Sequence, residues 1–184
     1  FCIVQIKAVG RSTEEIARNW LPSVQVAAEV SQLRLRYRVR SLEYLHPASD
    51  EERGKMEKSL NDLDSELGAA LKKYESLVSG ETERKVFEQA VKGAAAYRAT
   101  VNEAVSLSKA GKGDEAQQLR KTTWVKEANF LRDQTDELQK LNREGAERSS
   151  ANAESSITAA VSGGITALVV GVALALACSF LIAQ

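Results

Sequence analysis

Apolar residues recur every three or four positions between residues 50 and 79, which is typical of a helix with one buried face. The stripe consists of Met56, Leu60, Leu63, Leu67, Leu71, Tyr74 and Val78. Similar amphipathic stretches cover about residues 11–46, about 82–110 and the chain from Asp114 onward. The whole chain contains only two prolines, so little interrupts these segments.

Three short turn signals separate the four segments. Pro47 disfavours helix at the residue before it, Ser79-Gly80 supplies a glycine at a helix end, and the third loop runs from Lys109 to Gly113. Helices joined by short loops pack as antiparallel neighbours. The sequence therefore predicts an all-α, antiparallel up-down-up-down four-helix bundle whose first and fourth helices are long.

The end of the chain is apolar. No charged residue occurs from Ile157 to Gln184, and the part from Ile165 to Ala183 is long enough to cross a ~30 Å hydrocarbon layer at about 1.5 Å per residue. The first residues are apolar as well, which indicates the end of an earlier membrane segment. We therefore predict three parts: residues 1–10 as the end of a first transmembrane segment, 11–156 as the bundle, and 157–184 as a second transmembrane helix.

Several classes of chemistry lack the residues that they need. One histidine, His46, cannot supply the two Glu-x-x-His motifs of a di-iron bundle, and no phosphate-binding loop or catalytic triad is visible. The two cysteines lie in the apolar ends, so they form no disulfide framework. The net charge is zero, without the basic excess of a nucleic-acid-binding protein. We expect no catalytic residue, no metal, no cofactor and no nucleic acid, and hence no enzyme.

Arg34 and Arg38 stand out because the helical wheel places them within the apolar face of the first helix, beside Val24 and Leu35. Two guanidinium groups four residues apart repel each other, and burying them without partners would cost several kcal/mol each. Either a carboxylate of a neighbouring helix faces them, or they bind an anionic ligand, for which the planar fork of arginine is suited. Both interpretations remain open.

The loops around Pro47 and Gly113 are expected at the same end of the bundle. The number of residues between a helix position and its loop therefore estimates how far that position, its level, lies from this end. The count places Thr122, Thr123 and Trp124 near Arg38, and Glu127 near Arg34, so Glu127 is the predicted internal partner of Arg34. Tyr97 lies in the middle of the apolar face of the third predicted helix, about residues 82–110. The simpler interpretation of Tyr97 is that it belongs to the core and has no role in binding.

Several strings of the sequence resemble the four-helix-bundle sensor domain of bacterial methyl-accepting chemotaxis receptors. They are Asn19-Trp20-Leu21-Pro22-Ser23-Val24, Leu33-Arg34, the helix around Tyr97, and Ser108-Lys109-Ala110-Gly111-Lys112 followed by Glu115-Ala116 and Leu119. The sensor bundles of some histidine kinases are similar in kind.

This resemblance implies a homodimer that meets through helix one, a sensor domain in the periplasm and anchoring in the bacterial inner membrane. It also implies a cytoplasmic signalling region, which is absent from this chain, and a small shift of helix four on ligand binding. In the aspartate-type members, arginines of helix one and a threonine of helix four hold the carboxylates of the ligand. The residues here that correspond in type and level are Arg34, Arg38, Thr122 and Thr123, and we add the neighbouring Tyr37 and Tyr97.

The spacing of the arginines differs from the aspartate type, so a dicarboxylate, a tricarboxylate or an aromatic acid is equally open as the small organic acid. Three alternatives remain beside direct sensing: a histidine-kinase sensor, a bundle that senses through a partner protein, and a purely structural membrane-anchored bundle.

Overall fold

The computed structural model describes residues 2–46 and 49–182. The predicted turn at Pro47 and Ala48 lies outside the described residues, as do Phe1 and residues 183–184. The helices are α1 (Cys2–Glu15), α2 (Leu21–Tyr44), α3 (Asp50–Glu75), α4 (Glu81–Lys109), α5 (Gly113–Leu119) and α6 (Val125–Ile182). Two π-helical turns, Ile16–Trp20 and Arg120–Trp124, precede α2 and α6. The described residues contain no strand, and the all-α prediction is confirmed.

The helices divide between two units. One unit spans Pro22–Arg143, and the other joins the residues up to Leu21 with those from Glu144 onward. The predicted domain boundaries at residues 10/11 and 156/157 fall inside α1 and α6, where the secondary structure does not change. The three-part division of the chain therefore stays a prediction.

Contacts between neighbouring helices show that the helices of the unit Pro22–Arg143 run antiparallel. For α2 and α6 the contacts are Ser31–Gln139 and Arg34–Asp136. Arg36 and Lys73 reach acids across the α2–α3 boundary at 3.3 and 3.4 Å, and Arg98 and Lys109 do so across the α3–α4 boundary at 3.0 and 2.6 Å. From Glu29–Lys73 to Arg36–Glu66 the residue number rises on α2 and falls on α3. From Glu57–Lys109 to Asp64–Arg98 it rises on α3 and falls on α4, as antiparallel packing requires. The predicted bundle is confirmed.

The core forms along the stripes that the sequence predicts for α3 and α4. In the α3 stripe every member is buried except Val78, which lies beyond the helix and is half-buried. The predicted stripe of α4 consists of Phe87, Ala90, Ala94, Tyr97, Val101, Ala104 and Val105. The buried face of α4 also includes Gly93, which this stripe lacks and where a Cβ would lie only 2.9 Å from the Phe130 ring. Glycine at this position therefore allows α4 and α6 to approach closely.

The prediction for the face of α2 is partly wrong. Val24 and Leu35, which the helical wheel assigns to the buried face, are 37% and 51% exposed. The residues that enter the core are Ser23, Val26, Ala27, Val30, Ser31, Leu33, Arg34, Tyr37, Ser41 and Tyr44. The reason is that α2 carries apolar residues on two faces, one toward the core and one toward the outside, and the wheel merges them.

In the second unit, Trp20 packs on Gly145, where a Cβ would collide with the indole ring. The indole Nε1 donates to the Ser149 hydroxyl at 2.9 Å, and that hydroxyl lies 3.2 Å from a Glu15 carboxylate oxygen. α6 has 58 residues and includes the apolar segment from Ile165 onward. Within the described part of the chain, one helix is long and apolar enough to cross a membrane, and it ends in this segment.

Candidate functional site

Arg34 is the least compensated charge of the bundle core. It is 5% exposed, and its Nε has no hydrogen-bond partner. Its Nη2 lies 3.9 Å from Oδ1 of Asp136 on α6, which is longer than a hydrogen bond. Burial lowers the pKa of Arg34, and the Asp136 carboxylate offsets this only in part. Arg34 therefore carries a buried charge with unused hydrogen-bonding capacity.

Two further arginines surround Arg34. Arg38 on α2 and Arg132 on α6 both lower its pKa through charge repulsion. Arg38 is half-buried, while Arg132 holds Asp133 at 2.8 Å. Two guanidinium groups and one carboxylate, that of Asp136, therefore act on the charge of Arg34, so positive charge predominates around it. An anion bound among the guanidinium groups would relieve the repulsion.

The aromatic residues Tyr37, Tyr97 and Trp124 pack beside this charge. The Tyr97 ring meets those of Tyr37 and Trp124 edge-on, with centroids 5.6 and 6.1 Å apart. The Tyr97 hydroxyl accepts from the Trp124 indole at 3.1 Å and lies 3.3 Å from the Ser41 hydroxyl. Burial raises the pKa of both tyrosines, so their phenols stay protonated. The rings form a rigid apolar wall, and the Tyr97 hydroxyl is already engaged.

The structure does not bring Thr122 and Thr123 into this group. Both are exposed, and the Thr122 hydroxyl donates to the backbone of its own helical turn, to Gln118 O at 2.9 Å. In the part of the chain that the structure describes, no hydrogen bond joins either threonine to an arginine. Of the six predicted site residues, Arg34, Arg38, Tyr37 and Tyr97 lie together.

The predicted pairing of Arg34 with Glu127 is wrong, since the acid that faces Arg34 is Asp136. Glu127 is half-buried and lines a groove between α4 and α6, beside Gly93 and Phe130. Glu127 and Asp136 are nine positions apart, which is about 13 Å along a helix. The Ser31–Gln139 hydrogen bond has the same register between α2 and α6 as the Arg34–Asp136 pair. The count from the loops therefore gave the wrong register between the two helices, and the lean of side chains toward the helix N-terminus accounts for only about one position of the difference.

Arg132 is the site residue that the sequence analysis missed. It lies on a helix face that also carries Asp133 and Asp136, which resembles an ordinary solvated surface. A signal was present, because Arg132 and Asp136 are four residues apart and therefore neighbours on the helix surface. Only the register between α2 and α6 shows that this pair lies beside Arg34.

A family model described as a four-helix-bundle sensory module for signal transduction matches residues 2–157. No curated protein matches the chain. The matched residues include the whole unit Pro22–Arg143, and thus all three arginines.

Proposed function

The chain belongs to the four-helix-bundle sensory modules of methyl-accepting chemotaxis receptors, and from this premise we propose that it senses a small organic acid held by Arg34. The family makes the chain the sensor domain of a chemoreceptor in signal transduction. The ligand, its site and the compartment belong to the proposal. The proposed role is binding without catalysis, and it requires no metal or cofactor.

The observation that carries the proposal is the buried Arg34 guanidinium with an unpartnered Nε. A carboxylate can accept two parallel hydrogen bonds from one guanidinium, and charge-assisted bonds of this kind are about twice as strong as neutral ones. Arg38 and Arg132 extend the positive surface, which suits an acid with more than one carboxylate. The protonated phenols of Tyr37 and Tyr97 add no negative charge that would repel it.

Calorimetry on the full chain in detergent micelles tests the site, with succinate, citrate and benzoate as probes. We expect at least one acid to bind, and Arg34→Gln to weaken it by about ten- to a hundredfold, since a hydrogen bond to a charged group contributes about 1.5–3 kcal/mol. Arg36→Gln is the matched control, because Arg36 lies on the same helix but is exposed and paired with Glu66 at 3.3 Å. Equal affinities of the wild type and Arg34→Gln would reject the site.

Signal output is proposed to pass through α6. This helix carries Asp136 and Arg132 and continues as one element to Ile182, through the apolar segment. A ligand that changes the contacts of α6 in the bundle therefore acts on the same helix that is able to cross a membrane. We place the bundle in the periplasm and the apolar segment in the bacterial inner membrane, with a cytoplasmic signalling region as the recipient of the signal.

We also propose that the receptor is a homodimer that meets through the outer face of α2. This face exposes Val24, Leu35 and Val39 at 37%, 51% and 55%, in steps typical of a helix packed against a second helix. Solvent-exposed apolar residues in such a row indicate a contact surface. The resemblance also implies an interface through the predicted first helix, about residues 11–46, and α2 makes up most of that helix.

Sedimentation of the full chain in micelles measures the oligomeric state. The double change Leu35→Glu and Val39→Glu should shift the chain from dimer to monomer, because each buried apolar side chain contributes about 1.5–3 kcal/mol. Val91→Glu is the control, since Val91 is 42% exposed but lies on α4, in the groove beside α3. A wild-type monomer, or a dimer that survives both glutamates, would contradict the proposed interface.

A further inference from the structure

We infer that Asp136 is an internal competitor for Arg34, which a ligand carboxylate must displace. This inference rests on the proposed function and adds a mechanism of regulation to it. The residue concerned lies on α6, whereas the guanidinium it faces lies on α2. Displacement of Asp136 therefore changes a contact between two helices of the bundle.

The geometry of the pair is that of a loose contact. Asp136 Oδ1 and Arg34 Nη2 are 3.9 Å apart, and Arg34 Nε is left without a partner. The Asp136 side chain is 56% exposed, so its carboxylate keeps much of its hydration when it leaves Arg34. A ligand carboxylate that approaches the guanidinium fork can form two short bonds where Asp136 forms none. The exchange therefore favours the ligand without leaving a buried acid unpaired.

Arg132 offers Asp136 a second partner. The two residues are four positions apart on α6, and the Asp136 carboxylate contributes to raising the pKa of Arg132. Released from Arg34, Asp136 remains beside a positive charge on its own helix. The displaced state thus loses a contact between α2 and α6 and keeps the attraction between Asp136 and Arg132 inside α6.

When Asp136 is released from Arg34, a neighbouring hydrogen bond between α2 and α6 stays in place. Gln139 on α6 donates to the Ser31 hydroxyl of α2 at 3.0 Å, about one helical turn away. Ligand binding would therefore remove one of two successive contacts between α2 and α6, and Gln139 would become the anchor about which α6 adjusts.

The test compares Asp136→Asn with Asp133→Asn in the full chain, by calorimetry with succinate, citrate, benzoate and inorganic sulfate. Both changes remove one negative charge from the same face of α6, but Asp133 holds Arg132 rather than Arg34. We expect Asp136→Asn to bind the acids about fivefold more tightly than Asp133→Asn, the upper range for an ion pair that is not fully buried. The gain should vanish when Arg34→Gln is added. Circular dichroism melting checks that each variant folds.

The outcomes separate this inference from the proposed function. Binding that depends on Arg34 but is equally tight in the two asparagine variants overturns the competitor and leaves the sensor site standing. A gain that persists in the presence of Arg34→Gln also overturns it. If the wild type binds no acid but Asp136→Asn does, the competitor is supported in its strongest form. If none of the variants binds any of the four probes, both the site and the inference are overturned.

Discussion

Replacing Trp124 with alanine should destabilise the bundle by about 3–5 kcal/mol, the range for truncating a buried aromatic residue. Trp124 is 1% exposed and is the largest of the fully buried side chains in the described residues. Its ring packs edge-on against Tyr97, and its indole donates the 3.1 Å bond to the Tyr97 hydroxyl. The truncation therefore leaves a cavity and removes a hydrogen bond beside the candidate site.

Denaturant unfolding followed by circular dichroism measures this loss. Trp124→Phe is the informative control, because it keeps most of the ring but removes the indole N–H. It should cost about 1–2 kcal/mol, from a lost hydrogen bond and a small loss of volume. A cost of less than about 1 kcal/mol for Trp124→Ala would show that this side chain is not tightly packed in the core. Because the wall beside Arg34 would collapse, we also expect acid binding to weaken in Trp124→Ala.

Glu83→Ala is the second change with a large expected effect, about 3–5 kcal/mol, because each buried donor that loses its acceptor costs about 1–3 kcal/mol. Glu83 is 7% exposed and accepts bonds from three surrounding residues. The Tyr74 hydroxyl donates at 2.6 Å, the Asn142 amide at 3.2 Å, and the Ser79 backbone N–H at 2.9 Å. Without the carboxylate, the buried Tyr74 and Asn142 donors lose an acceptor, and each unmade buried bond is costly.

The network around Glu83 also ties three helices together. Asn142 on α6 donates to Tyr74 on α3 as well as to Glu83 on α4, and its Oδ1 has no hydrogen-bond partner. Burial and the bond to Glu83 raise the pKa of Tyr74, which keeps the phenol protonated and able to donate. A single acid thus fixes the level of α6 against two neighbours.

Equilibrium unfolding again gives the measurement, and Glu81→Ala supplies the comparison. Glu81 lies in the same first turn of α4 and pairs with Lys85, but both side chains are more than two-thirds exposed. Its loss should change stability by less than about 0.5 kcal/mol. Similar costs for Glu81→Ala and Glu83→Ala would show that Glu83 acts only as an exposed acid near a helix N-terminus.

The sequence predicts the helices and two of the core faces well, for a physical reason. α3 and α4 each have one apolar face, so spacing identifies most of the apolar residues that are buried. α2 has two, and periodicity does not distinguish Val26, which enters the core, from Leu35, which lies outside. The inward placement of Arg34 follows from its position on the wheel, whereas its partner depends on the register between helices.

Glu83 shows a different limit of sequence reasoning. An acid in the first turn of a helix resembles a solvated cap, which hides its burial. The clue was its place three residues after Gly80, the residue that precedes α4. From this position an acid can reach back to the backbone ahead of the helix, and Glu83 does so at Ser79. The sequence does not show that Tyr74 and Asn142 donate hydrogen bonds to this same carboxylate.

The two tryptophans of the chain divide between its two units, Trp20 in one and Trp124 in the other. Each is held by a hydroxyl group, Ser149 for Trp20 and Tyr97 for Trp124. When the light is absorbed by indole and not by tyrosine, a chain with Trp20→Phe therefore emits only from the bundle core beside Arg34. A chain with Trp124→Phe then emits only from the indole that covers Gly145. Native fluorescence alone, without an attached dye, can follow each unit separately while an acid is added.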